Sequence, residues 1–129
     1  MRRNGGCIVI TPDVISWQWN DYDRAHRSRS NLVLHAVTNP LFVVGVLSAL
    51  AFGPFRPWLA LAGVVAAALA IAAQGRGHAR EVNAPHPFRS PLDAVVRIFV
   101  EQFVTFPRFV FSGRFAAAWR ASGGVPSGA

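Results

Sequence analysis

The sequence predicts an all-α fold: a small helical membrane bundle of about four helices around a short apolar hairpin. Within residues 41–73 the only charged side chain is that of Arg56. This arginine lies in the sequence Gly53-Pro54-Phe55-Arg56-Pro57, which is typical of a turn that ends one helix and begins the next. The whole chain of 129 residues is 52% hydrophobic and only 15% charged, a low charged fraction for a domain that is wetted on all sides.

The first two helices are predicted from residues at their boundaries. Thr11-Pro12-Asp13 provides a capping hydroxyl, a proline in the first turn and an early carboxylate, so the first helix is expected over residues 11–27. Ser30 is a candidate cap for a second helix over residues 31–52. Pro40 lies inside this second helix, and we expect a bend there because proline removes a backbone donor.

The third and fourth helices are expected over residues 58–80 and 92–111, and Ser112-Gly113 can end the fourth. The fourth helix is apolar except for a stripe of charges that projects within roughly 80° of arc, with ion pairs expected between residues four apart: Asp93, Arg97, Glu101 and Arg108. Residues 1–120 are expected to form one helical membrane domain. Residues 121–129 are rich in Gly, Ser and Pro and are expected to form a disordered tail.

The two central helices are predicted to lie in a membrane. A helix of about 20 residues spans ~30 Å, about one hydrocarbon core, and a chain of this length has little other mass to cover so apolar a hairpin. The strictly apolar parts are shorter than the helices, so a two-pass hairpin, a re-entrant hairpin and a buried soluble hairpin all stay open. Close packing in lipid is favoured by small residues on both helices: Gly45, Ala49, Gly63 and Ala67.

The placement of arginine predicts the orientation of the hairpin. Arg56 is alone at the connecting turn, whereas six arginines lie at the opposite end: Arg24, Arg27, Arg29, Arg76, Arg80 and Arg89. By the positive-inside rule, this end and both termini face the cytoplasm. We therefore expect an integral membrane protein, as in a bacterial inner membrane.

Composition argues against several other classes of protein. The net charge is +7 and all 13 basic residues are arginine, but they are scattered without a dense basic run, so nucleic acid is not an expected partner. The single cysteine, Cys7, excludes a disulfide framework and a thiolate metal cluster.

All four histidines of the chain flank the apolar hairpin, together with several amides and a carboxylate. A helical hairpin returns the chain to the side where it started, so these two polar segments are predicted to meet. On the second helix, Asn31 and His35 are four residues apart and share a face. On the third helix, three polar side chains project within roughly 60° of one another: Gln74, His78 and Glu81.

These residue types favour a metal site. Histidines with a carboxylate and open coordination positions suit a non-haem iron, and neighbouring polar groups orient the ligands. The candidate ligands are His26, His35 and His78, and the candidate catalytic or orienting groups are Glu81, Asn31 and Gln74. Candidate substrate-binding residues are Arg76 and Arg80, which could hold a carboxylate, and Tyr22, one turn before His26.

Two other interpretations stay open on the residues alone. His35 and His78 could be the axial ligands of a haem between facing helices. Alternatively, the polar end could bind a partner protein in a membrane scaffold without catalysis. His86, in the loop sequence Pro85-His86-Pro87, is a weaker candidate ligand because such histidines are often only polar surface groups.

The order of polar residues resembles the 2-hydroxy fatty acid dioxygenase family. The resemblance covers roughly residues 17–91 and rests on two segments around the hairpin: His26-x4-Asn31-x3-His35-x4-Pro40, and Gln74-x2-Gly77-His78 followed by Glu81 and Pro85. It implies an Fe(II)-dependent membrane oxygenase that uses dioxygen to shorten a 2-hydroxy long-chain acyl substrate by one carbon. It also implies that His26, His35 and His78 are iron ligands or lie next to the ligands.

Overall fold

The computed structural model describes residues 12–123, and this part of the chain is helical without any β-strand. The prediction of an all-α bundle is confirmed. The elements in chain order are α1 (Pro12–Asp21), a 3-10 turn (Tyr22–Ala25), α2 (Arg29–Phe52), α3 (Pro57–His78), α4 (Pro91–Val100), a π turn (Glu101–Thr105), α5 (Phe106–Phe111) and α6 (Arg114–Ser122).

The α2–α3 hairpin is held together by direct contact between two backbones. A Cβ atom added to Gly45 would lie 2.5 Å from the carbonyl oxygen of Gly63, and one added to Gly63 would collide with the carbonyl oxygen of Gly45. Any side chain at either position would push the helices apart, because real Cβ contacts are never this short. The predicted close packing at these two residues is therefore confirmed.

Both hairpin helices are long and apolar enough to cross a membrane. Only 33% of the most apolar window of α2 and 22% of that of α3 are buried, so large apolar side chains cover the outside of the hairpin. Leu50 and Leu61, for example, are 73% and 64% exposed. A core helix of a soluble protein would hide such a surface, so the hairpin supports association with a membrane.

The remaining helices pack on the hairpin through two apolar clusters. Near its polar end, one cluster joins α2 to the 3-10 turn and α5, and consists of Tyr22, Leu32, Phe106 and Phe109. Deeper in the hairpin, the second consists of Phe42, Ala67 and Ala70, with Ile98 of α4 packed against it. The fold thus places α4 and α5 along one side of the hairpin, over its polar end.

The segment predicted as a fourth helix is helical over its whole length but contains the π turn. Val96 and Val100 are buried four residues apart on α4. In an unbroken α-helix the next buried residue would be Val104, but that side chain is 39% exposed, and Thr105 is buried in its place. A π turn adds one residue to the helix, so every later side chain moves on by one position.

Because the π turn moves the later side chains, the four charges do not form the predicted stripe. Arg108 does not continue the face of Asp93 and Arg97; its guanidinium lies 4.1 Å from the centre of the Trp19 ring, on α1. The ion pair between Arg97 and Asp93 is present, with Nη1 and Oδ2 3.4 Å apart. The predicted pair between Arg97 and Glu101 is not, since Glu101 points towards the histidines.

Several predicted boundaries differ from the structure. The first helix ends at Asp21 and gives way to the 3-10 turn, whereas it was expected to reach residue 27. The prediction that Ser30 caps the second helix is wrong, because α2 begins at Arg29 and Ser28 occupies the N-cap position. Pro40 lies inside α2, which continues through it to Phe52.

The first residues of the predicted tail are helical. Helix α6 extends to Ser122, whose side chain is buried and receives a hydrogen bond from Arg29. The rest of that predicted tail, and the predicted features at Cys7 and Thr11, lie outside the described residues.

Candidate metal centre

Three histidine rings meet at the base of the hairpin. His26 follows the 3-10 turn, His35 lies near the start of α2, and His78 is the last residue of α3. Their ring centroids are 4.6 to 4.8 Å apart in all three pairs, and each pair packs edge to face. The hairpin therefore brings together two histidines 43 positions apart in the sequence, as predicted.

A carboxylate that the sequence analysis did not select completes this cluster. Glu101 is the first residue of the π turn. Its Oε1 atom lies 3.7, 3.5 and 4.0 Å from the Nε2 atoms of His26, His35 and His78, respectively. One ligand atom from each of the four residues lies within 4.8 Å of every other. Two ligands that each bind one ion at about 2.1 Å are roughly 3–4 Å apart, so the distances from Glu101 to the three histidines suit a shared metal ion.

The orientation of the rings also fits a metal. The Nδ1 atoms of His26 and His35 lie 2.8 and 3.1 Å from the backbone carbonyl oxygens of Tyr22 and Asn31. A carbonyl accepts only from a protonated ring nitrogen, which leaves each Nε2 with a lone pair for coordination. Both Nε2 atoms are buried and have no hydrogen-bond partner among the described residues. Buried polar atoms are rarely left unpaired, and a bound cation would satisfy both.

The electrostatics of the cluster favour a divalent cation. Burial, followed by the neighbouring His35, lowers the pKa of His26 to about 3, so this imidazole is neutral at pH 7. Burial raises the pKa of Glu101, but the three neighbouring histidines, led by His35, outweigh it and lower that pKa to about 2. Metals bind the neutral form of imidazole and the ionised form of a carboxylate.

Tyr22, a predicted substrate-binding residue, lies directly against the cluster. Its hydroxyl donates to Oε1 of Glu101 at 3.0 Å, and its ring stacks on His26 with the centroids 3.9 Å apart. Burial and the Glu101 carboxylate raise the pKa of this phenol well above its ordinary value. It therefore stays protonated and can donate to the carboxylate.

Glu81, a predicted catalytic residue, is not a member of the four-residue cluster. Its carboxylate accepts from the backbone N–H groups of Ser28 at 3.0 Å and Arg27 at 3.3 Å, two donors before the first turn of α2. It also accepts from Nδ2 of Asn31 at 2.8 Å. Glu81 thus ties the chain after α3 to the start of α2.

Asn31 extends this connection to the segment that carries His26. Its Nδ2 also donates to the carbonyl oxygen of Ala25 at 3.2 Å. The side chain fits because Gly77 faces it: a Cβ atom at Gly77 would collide with Oδ1 of Asn31. Asn31 and Glu81 together fasten the three segments from which the histidines project.

Gln74, the third predicted catalytic residue, belongs to a buried amide network one helical turn from His78. Its amide exchanges hydrogen bonds with that of Gln102, which follows Glu101, at 3.1 and 2.6 Å. Asn39 of α2 donates to Gln102 as well, at 3.0 Å. This network joins α2, α3 and the π turn beneath the cluster, and so fixes where Glu101 can point.

The two predicted substrate-binding arginines are exposed at the end of α3, at positions 76 and 80. Neither lines the cavity of about 380 Å³ that reaches His78 and Glu101. Arg97 does line it, and the Nε atom of Arg97 is buried without a hydrogen-bond partner among the described residues. Another nitrogen of this guanidinium donates to the backbone oxygen of His86 at 2.8 Å.

The fourth histidine, His86, lies apart from the cluster. Its side chain is 53% exposed, and Nε2 is 3.4 Å from a carboxylate oxygen of Asp21. The ring packs against Trp17, with the centroids 5.5 Å apart. Its placement is that of a polar surface group.

One signal in the sequence could have identified Glu101. It is the only acidic residue in residues 94–122, and its neighbours are almost all apolar. A lone carboxylate in such a helix is costly unless it binds a cation or a donor. Regular α-helical geometry instead assigns Glu101 to the stripe of charges, because it is four residues after Arg97.

A family model matches most of the part of the chain that forms this site. The model of the Mpo1-like family, described as 2-hydroxy-palmitic acid dioxygenase Mpo1-like, matches residues 14–108. No curated protein and no solved structure matches the chain. The matched span is well over half of the sequence and includes the three histidines and Glu101. The chain therefore belongs to the Mpo1-like family.

Proposed function

We propose that the protein is an Fe(II)-dependent membrane dioxygenase that shortens a 2-hydroxy long-chain fatty acid by one carbon. The observation that carries this proposal is the convergence of three imidazoles, two of them buried, and one carboxylate in a member of a family described as a dioxygenase. The overall reaction balances with one dioxygen: R–CH(OH)–COOH and O2 give R–COOH, CO2 and H2O.

The metal would be held by His26, His35, His78 and Glu101, which include the three ligands predicted from the sequence. Three imidazoles and one carboxylate are a ligand set that suits Fe(II) and leaves coordination positions open. Bound there, the iron would supply the activation of dioxygen. Tyr22 holds Oε1 of Glu101 in place through its hydrogen bond. Phe109 packs against Tyr22 and helps to exclude water from the cluster.

The carboxylate of the substrate has a partner in Arg97. This guanidinium lines the same cavity as His78 and Glu101, and its Nε has an unused N–H. A charge-assisted hydrogen bond from Nε would hold the carboxylate beside the cluster. The exposed Arg76 and Arg80 suit an earlier step, in which positive charge at the membrane surface attracts the anionic headgroup.

The three polar residues first predicted as catalytic have positioning roles in this proposal. Asn31 and Glu81 keep the three histidine-bearing segments in register, and Gln74 supports the π turn through Gln102.

We also propose that the hairpin crosses the membrane twice. The end that carries the cluster is rich in arginine, so it and both termini would face the cytoplasm. The substrate would then present its carboxylate at the cytoplasmic surface and keep its acyl chain in the bilayer.

A haem between His35 and His78 is not favoured. The ring of His26 packs edge-on against both of these imidazoles, at 4.6 and 4.8 Å. That ring, together with Glu101, occupies the space that a macrocycle would need. A scaffold without catalysis does not account for buried imidazole nitrogens that lack a partner.

Metal analysis combined with a turnover assay tests the proposal. Detergent-purified protein should contain close to one iron per chain and should release CO2 from 2-hydroxypalmitate in air but not under anaerobic conditions. His35→Ala and His78→Ala should each lose both the iron and the turnover. The matched control is His86→Gln, which alters a histidine outside the cluster and should keep its iron.

Three outcomes would overturn the proposal. A Soret band in the purified protein would favour the haem alternative. Full iron content in both His35→Ala and His78→Ala would exclude the cluster as the metal site. Iron that depends on both histidines, without oxygen-dependent loss of 2-hydroxypalmitate, would exclude the reaction but not the metal site.

A further inference from the structure

The cavity beside the metal cluster lies between the end of α3 and the side of α4. It has a volume of about 380 Å³, within the range of roughly 300–1,000 Å³ that is usual for small-molecule sites. Polar groups line one end of it, namely His78, Glu101 and Arg97. At the other end it is lined by Ile71 of α3 and Ile98 of α4.

A second groove begins at the same two isoleucines. It has a volume of about 550 Å³ and runs between the hairpin and α4, away from the cluster. Its walls include Val64 and Ala68 of α3 and Phe99 of α4, and all of its lining residues are apolar. Ile71 and Ile98 line both spaces, so the cavity and the groove adjoin at these two side chains and together mark a path along α3 and α4.

The length of this path matches that of one acyl chain. Ala68 precedes His78 by 10 positions on α3, which corresponds to about 15 Å at 1.5 Å per residue. An acyl chain of a membrane lipid covers about half of the hydrocarbon core, or roughly 15 Å. A groove that was charged, or that ended after one helical turn, would accept only a short or polar ligand.

We propose that the groove between α3 and α4 holds the acyl chain of the 2-hydroxy acid, and that the small side chain of Ala68 sets the longest chain it accepts. This inference rests on the proposed function, since it places the carboxylate at Arg97 and the 2-hydroxyl carbon beside the cluster. The tail passes between Ile71 and Ile98 and ends near Ala68. Larger side chains at position 68 shorten the path from its far end and leave the polar end untouched.

Binding measurements on two chain lengths test this proposal independently of turnover. Displacement of radiolabelled 2-hydroxypalmitate from detergent-solubilised protein measures the affinity for unlabelled 2-hydroxypalmitate and 2-hydroxyoctanoate. Ala68→Phe should weaken the binding of 2-hydroxypalmitate by about tenfold or more. At least two methylene groups of its chain lose their burial, which is worth ~0.8 kcal/mol for each. The variant should leave the affinity for 2-hydroxyoctanoate unchanged, because that shorter chain ends before position 68.

The matched control is Leu69→Phe. Leu69 is adjacent on α3, is 63% exposed and does not line the groove. This variant should bind both acids as the parent protein does. Equal weakening of the two acids by Ala68→Phe, equal effects of both variants, or a lack of any saturable binding beyond partition into detergent would each overturn the proposal.

The outcome also separates this proposal from the proposed function. If 2-hydroxypalmitate binds with the expected dependence on Ala68 but is not oxidised, the acyl-chain groove is supported and the dioxygenase assignment is overturned. If the acid is oxidised and Ala68→Phe leaves the preference for chain length unchanged, the dioxygenase assignment stands and the groove falls.

Discussion

Two glutamates, one on each side of the cluster, differ in what surrounds their carboxylates. Glu81 follows α3 and accepts hydrogen bonds from two backbone N–H groups and from Asn31. Glu101 begins the π turn and faces three imidazole nitrogens and the hydroxyl of Tyr22. The donors around Glu81 are already present in the fold, so its carboxylate is satisfied by the protein itself.

The surroundings of Glu101 are different, because the histidines that it faces offer lone pairs. His26 and His35 both direct buried Nε2 atoms without a partner towards the same space. A carboxylate satisfied by backbone donors stabilises a fold, whereas one that shares a space with unpaired imidazoles is placed to bind a cation. Proximity in sequence to a histidine does not distinguish the two: Glu81 is three residues from His78, and Glu101 is 23 residues from it.

The largest expected effect is a loss of metal on substitution of Glu101, which would distinguish this carboxylate from that of Glu81. Glu101→Gln should lower metal affinity by more than about 100-fold, since removing a ligand exceeds the 10- to 100-fold effect of removing a group that only orients one. Metal analysis after dialysis against a weak chelator measures it. Retention of full metal content by Glu101→Gln would place the binding site elsewhere.

The next effect is the response of the metal-free protein to acid. The pKa of His26 is about 3 in the folded protein and 6.5 ordinarily, so as the pH falls below about 6.5 the unfolded chain takes up a proton that the folded one does not. The free energy of unfolding should therefore fall from pH 7 to pH 4. Thermal unfolding in detergent with a chelator measures this. The free energy of unfolding of the His26→Gln variant should depend less steeply on pH. The same pH dependence in the variant and the parent protein would contradict the assignment of this effect to His26.

Glu81→Gln should have a smaller effect, on stability and not on metal content. A neutral amide oxygen accepts more weakly from the N–H groups of Arg27 and Ser28, so we expect a loss of about 1–3 kcal/mol in the free energy of unfolding. The measurement is a denaturant titration of the metal-loaded protein, with metal analysis of the same sample. Loss of metal comparable to that in Glu101→Gln would instead make Glu81 a ligand.

The smallest expected effect is that of Tyr22→Phe. This change removes one donor to Oε1 of Glu101 and keeps the ring that stacks on His26. Metal affinity should fall by about tenfold, as for other groups that orient a ligand, and the melting temperature should change little. A loss of metal as complete as in Glu101→Gln would mean that the phenol itself binds the ion.

The sequence was sufficient to predict the hairpin, the cluster of histidines and the family. The hairpin and the cluster follow from regular helical geometry applied to an apolar segment interrupted by a turn, small residues at contact positions, and polar groups at both ends. The family follows from the order of those polar groups. Gly45 and Gly63, for instance, lie where two helices of a hairpin must touch. His35 and His78 meet because both lie near the same end of the hairpin, where Asn31 of α2 faces Gly77 of α3.

The fourth ligand could not be predicted in the same way, because its direction depends on the π turn. Regular α-helical geometry assigns Glu101 to a surface stripe with Arg97. A π turn forms only where tertiary contacts stabilise it, and here Gln102 is held by Gln74 and Asn39 from two other helices. No periodicity in residues 91–111 reveals those partners. Local sequence determined the helix, and long-range contacts determined where it is irregular.

The direct backbone contact between α2 and α3 also constrains how the bundle can open. At Gly45 and Gly63 the two helices touch without side chains between them, so nothing at this contact can rearrange. The seam against α4 is lined by longer side chains such as Ile71 and Ile98, whose rotamers can change. In the proposed reaction, the acyl substrate and dioxygen, which dissolves readily in hydrocarbon, would reach the cluster sideways through that seam.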